Sequence, residues 1–227
     1  MSAVKRRYHA PVRQEQAAQT RQRIAAAAAA EFAEHGWSGT TVAAIAARAQ
    51  VTPQAVHLAV GGKAALLVRA VEVTVAGATD DERLADRPAF ADVYAPGIPA
   101  RRRLEALAAA TSDIYGRAAR LFLVLAEAAA SDATAAELAA QASARRLADH
   151  RRLAGLLAPD ASPAQLDLLT DTIWVLAGPA VYVDLVHRRH WPSAQYATWL
   201  TDQLDHATQL ARRPGPGPGA KKMTEPM

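Results

Sequence analysis

Apolar residues recur along the first eighty positions at helical rather than strand spacing. Between Gln14 and His35, Ile24, Ala28 and Phe32 fall at i, i+4 and i+8 and form one stripe. Gly36 follows at the place where a left-handed residue ends a helix, and Trp37 can fold back onto the stripe. Thr40 and Thr41 can cap a second helix, Val42 to about Arg48, with Val42, Ile45 and Ala46 inward. After a three-residue connection, Ala49-Gln50-Val51, Thr52 caps a third helix with Pro53 at its first position. Gly61-Gly62 ends it. A fourth helix runs from about Lys63 to Ala78 on Leu66, Leu67, Ala70, Val71 and Val73.

Prolines and glycines interrupt the pattern over 79–98, a linker with room for short helical turns. Helical spacing then resumes. Arg101–Arg117 and Ala118–Ala130 read as two helices or as one bent at Gly116. Ala133–Leu157 follows, then a long helix opened by Ser162-Pro163 and reaching about His190, and a last one from Ser193 to about Arg212. The expected organisation is a flexible basic arm over 1–13, a small helical domain over 14–80, a larger helical domain over 81–212, and a disordered Pro/Gly tail over 213–227.

Composition agrees with an all-α chain. Hydrophobic residues make up 51% of it, much of this alanine, the best helix former. There is no cysteine, so disulfides and thiolate chemistry are excluded, as suits a reducing cytosol. No apolar run reaches the length of a membrane span, and the basic N-terminus lacks the apolar segment of a signal peptide, so a cytoplasmic location is expected. Charge sharpens this. Residues 1–70 hold nine Lys and Arg against three acids, which points to a polyanion partner at that end.

Three short helices around one small core, the last two joined by a tight turn, form a helix-turn-helix. In such a unit the third helix enters the major groove of DNA. Gln54 can pair with adenine and Ala55 can touch a thymine methyl, while Val56 turns inward and Val51 and Val60 seal the ends. Residues 20–67, "TRQRIAAAAAAEFAEHGWSGTTVAAIAARAQVTPQAVHLAVGGKAALL", resemble the N-terminal DNA-binding domain of the TetR family of bacterial repressors. The signature residues are Arg21 and Ile24, Phe32-Ala33-Glu34 with Gly36 and Trp37, Thr40-Thr41-Val42 with Ile45, Ala46 and Ala49, then Val51-Thr52, and Lys63 with Leu66.

The resemblance implies that Thr40 and Thr41 hold a phosphate and that Thr52, Pro53, Gln54 and Ala55 line the groove. His57 stands where the family has a phosphate-contacting tyrosine, and Lys63 clamps the backbone beyond. Gln50 departs from the usual glycine of the turn, at a cost of roughly 1 kcal/mol if φ is positive there. The resemblance further implies a homodimer through the last two helices, a double-stranded operator with two-fold symmetry, and a small-molecule effector that releases it.

For the dimer interface, Leu176, Val181, Leu185, Trp199, Leu204 and Leu210 are the candidates. For a ligand pocket in the second domain they are Asp113, Tyr115, Phe122, Asp171, Trp174 and Tyr182, which lie among apolar residues. His187 and His190 with Asp184 share spacing but lack the converging ligands that a metal needs. No catalytic or nucleotide-binding motif is present, so neither an enzyme nor a cofactor is expected. The rival reading is a helical ligand- or partner-binding protein with a degenerate DNA-binding head, motivated by Gln50, His57 and Val60.

Overall fold

The computed structural model describes residues 9–76 and 88–213, and among these there are helices and no strand. The outer arm (1–8), the middle of the linker (77–87) and the tail (214–227) lie outside the described residues. By contact the chain forms two compact units. One comprises Met1–Leu84 with Asp113–Ser143, the other Ala85–Ser112 with Ala144–Met227.

The first unit is built on α1 (His9–Gly39), α2 (Val42–Arg48), α3 (Pro53–Ala59) and α4 (Lys63–Ala76). Helix α1 begins at His9, inside the segment expected to be a flexible arm. Pro11 is tolerated there because the first turn has no intrahelical use for its missing N–H. Gly36, at φ 68 and ψ −171, breaks the helical path as its glycine identity allows. Trp37 returns to stack on Phe32, with ring centroids 6.0 Å apart. Ile24, Ala28, Phe32, Ile45, Val56, Leu66, Leu67 and Ala70 are buried in one core, as the spacing predicts. Leu121, Val124, Leu125 and Ala128 of α6 (Ala100–Ala129) and Ala135 of α7 (Ala133–Leu157) complete that core.

An ion cluster ties α2 to α1. Arg48 lies 2.7 Å from the Glu31 carboxylate and donates to both Glu34 oxygens at 2.6 and 2.8 Å. The hydrogen bonds from Arg48 hold the Glu34 carboxyl below its usual range.

In the second unit a 3-10 turn (Pro88–Phe90) and α5 (Ala91–Tyr94) realise the short turns foreseen in the linker. Helix α6 runs unbroken through Gly116. The long helix expected from Ser162 to His190 is in fact interrupted. Helix α8 (Pro163–Leu176) carries the full capping box of Ser162 and Gln165 but stops before Gly178. Pro179 forces the preceding residue out of the α region, and Gly178 accordingly adopts φ −87 and ψ 155. A short α9 (Pro179–Tyr182) and a π-helical turn (Val183–Arg188) follow, then α10 (Ser193–Ala211), which packs on α8. Leu169, Ile173, Tyr182, Tyr196, Leu200 and Leu204 fill this unit's interior.

Two arginines of this unit hold a backbone or ring partner. Arg103 is buried and donates to the Val93 carbonyl at 2.7 Å, and Arg146 lies 4.0 Å over the Trp174 ring.

Candidate nucleic-acid interface

The connection between α2 and α3 decides what α3 can present. The Gln50 N–H bonds the Ala47 carbonyl at 3.1 Å and the Val51 N–H bonds the Ala46 carbonyl at 3.0 Å. This is the paired closure of a Schellman motif, which requires a left-handed residue after the cap. Gln50 supplies it at φ 55. The turn therefore keeps the shape for which glycine is best suited, with glutamine bearing the strain.

Helix α3 is seated by one fully buried side chain, Val56, with Val51, Ala59 and Val60 partly buried around it. Thr52 caps it, its hydroxyl oxygen accepting from the Ala55 N–H at 3.2 Å, so its O–H proton remains available to a ligand. Thr52, Pro53, Gln54 and His57 are exposed and Ala55 is half-buried. Gln54 and His57 are three residues apart and share one face. Leu58, next to His57 on that outer face, is 82% exposed. The sequence reading passed over Leu58. Its only available signal was its position four residues after Gln54.

The two candidate phosphate threonines separate. Thr41 is exposed and caps α2, accepting from the Ala44 N–H at 3.1 Å. Thr40 is buried at 1% exposure, its hydroxyl directed to the Gly36 carbonyl at 2.8 Å and the Glu31 carbonyl at 3.1 Å. Its side chain is a latch closing the end of α1, with the hydroxyl turned inward rather than offered to a ligand. Lys63 begins α4 with its ammonium 4.4 Å over the Trp37 ring. Desolvation there lowers its pKa, while Glu127 and Asp132 act in the opposite sense.

The pocket candidates are divided between the two units. Asp113, Tyr115 and Phe122 belong to the first unit, where Asp113 is exposed and paired with Arg117, and Tyr115 meets Phe122 edge-on at 5.4 Å. Asp171, Trp174 and Tyr182 belong to the second, where Asp171 is exposed and Tyr182 lies edge-on to Tyr196 at 4.9 Å. An open cavity of about 280 Å³ lies in the head, between Arg21, Ala59, Val60, Val68 and Glu72. Of the interface candidates, Leu204 is fully buried within its own chain, so it is a core residue. Leu210 is 45% exposed, and on α8 Leu168 and Val175 are 70% and 61% exposed. Among the described residues no group of three metal-ligating side chains converges, and no single helix is long and apolar enough to cross a membrane.

Residues 24–70 match the model of the bacterial regulatory proteins of the tetR family. No curated protein matches the chain. Solved structures resemble it in fold. One is a protein of Pseudomonas aeruginosa PAO1 described as a transcriptional regulator, at 18% identity and a TM-score of 0.68, covering 86% of this chain and 92% of that one. A transcriptional regulator of Rhodococcus sp. follows at 21% identity and 0.57, covering 86% and 99%. A further Rhodococcus sp. protein, described as a TetR-family transcriptional regulator, aligns at 16% identity and 0.58, covering 84% and 99%.

Proposed function

We propose that this chain is a tetR-family transcriptional regulator, a homodimeric repressor that binds a near-palindromic DNA operator. A small molecule held within residues 81–212 releases it. The observation that carries the DNA reading is the outer face of α3. Thr52, Pro53, Gln54 and His57 project outward from a helix anchored by Val56, and the turn before it retains the left-handed geometry that aims it. Residues 1–70 hold nine Lys and Arg against three acids, which suits a polyanion.

In this reading Gln54 pairs with adenine, Ala55 meets a thymine methyl, and Thr52 donates to the backbone beside them. Thr41 and His57 contact phosphates. Lys63 supplies the flanking cation, held in place by the Trp37 ring beneath it. Two-fold symmetry through α8 and α10 sets the heads at successive half-sites. The effector acts by preferring the conformation in which the heads no longer match that spacing.

A binding selection from random duplex DNA with the full chain tests this. Recovery of a palindromic motif supports the regulator. Binding that is salt-sensitive but blind to sequence would overturn it in favour of a ligand- or partner-binding protein with a degenerate head. On the recovered motif, Gln54→Ala is expected to cost about 1–3 kcal/mol at one position and to relax preference there. Lys63→Ala is expected to weaken all sequences alike and lower the salt slope by roughly one. Equal weakening of every sequence by both variants would refute this division of roles.

A further inference from the structure

We infer that Leu58 is a base-reading residue of this head, selecting thymine through its C5-methyl group; this rests on the DNA-binding reading above. Leu58 is the most exposed large apolar side chain among the described residues, at 82%. It sits next to His57 and four residues after Gln54 on the outward face of α3, whereas Val56 on the inward face is fully buried. Nothing in the head's own core uses it.

Its surroundings select the occupant. A protein-docking patch groups several apolar side chains, yet the other exposed large ones in the described residues lie on α6, α7, α8 and α10. Leu58 stands alone among the exposed polar groups of α3 and its cap, Thr52, Gln54 and His57. A single apolar side chain among hydrogen-bonding ones, on the face of α3 that carries Gln54, matches the major groove. There the thymine methyl is the apolar feature that distinguishes one base pair from the others. A helical rise of 1.5 Å per residue puts Leu58 about 6 Å along α3 from Gln54. That is roughly two base-pair steps, at about 3.4 Å each.

The test uses the full chain and the motif recovered by selection, with each thymine replaced in turn by deoxyuridine, which removes only the methyl. The wild-type protein is expected to lose about fourfold in affinity at a thymine within about two base pairs of the Gln54 position. Leu58→Ala is expected to bind the thymine and deoxyuridine versions equally at that position. Its thermal midpoint should match the wild type, because the side chain is left largely to solvent. The inference is overturned if no deoxyuridine position matters to the wild type. It is equally overturned if Leu58→Ala keeps the full sensitivity, since Ala55 would then be the methyl reader. If the selection returns no motif at all, the DNA-binding reading itself fails and takes this one with it.

Discussion

Gln50 carries the clearest local strain in the head. A left-handed backbone brings Cβ against the following carbonyl and costs an L-residue roughly 1 kcal/mol or more. The hydrogen bonds of the turn nevertheless hold Gln50 there. Gln50→Gly should therefore stabilise the protein by roughly 1 kcal/mol in urea unfolding, with Gln50→Ala giving no comparable gain. A glycine variant no more stable than the wild type would mean that the side chain repays its strain. Thr40 and Thr41 show how far a motif reaches at this scale. Adjacent and chemically identical, they differ in burial because the direction of each side chain is set by the path of the chain through Gly36. Only the packed structure reveals it.

At the scale of elements, caps were legible and interior breaks less so. Thr41, Thr52 with Pro53, and Ser162 with Pro163 open their helices where the sequence puts them, because a cap is a local hydrogen bond between near neighbours. The break at Gly178-Pro179 was missed because an apolar pattern runs across it, although the proline rule was available in the sequence. Helix α7 has a feature that only packing creates. His150 is buried, and its Nδ1 has no hydrogen-bond partner among the described residues. Burial, with the nearby Arg146 charge, pushes its pKa down from 6.5 to about 3. Between these values the unfolded chain takes up a proton that the folded one refuses. Stability is thus fully present above about pH 6.5 and falls as the pH drops towards 3, by an amount on the order of a few kcal/mol. The melting temperature should fall less between pH 7 and pH 4 in His150→Leu than in the wild type. Parallel curves would show that this imidazole is not held neutral.

For the whole molecule, the proposed homodimer rests on exposed apolar residues of helices that pack together, Leu168 and Val175 on α8 and Leu210 on α10. Leu168 and Val175 are seven residues apart and so lie on one face of α8. Val175→Asp puts a charge into that face without touching the core of the subunit. Sedimentation equilibrium is expected to show a monomer, with operator affinity lost in parallel because two half-sites are no longer bound together. A Val175→Asp dimer as tight as the wild type would move the interface elsewhere.

Legible in the sequence alone were the helical class, the ends of the capped helices, the core stripe of Ile24, Ala28 and Phe32, and the likeness of residues 24–70 to the tetR-family model. All of these follow from the 3.6-residue period and from contacts between near neighbours. Tertiary structure alone decided that Thr40 faces inward, that Leu204 belongs to the core, that Arg103 is buried, and that His150 is buried and Leu58 left bare. Each depends on which surface a distant segment covers, and periodicity along one chain segment does not encode that.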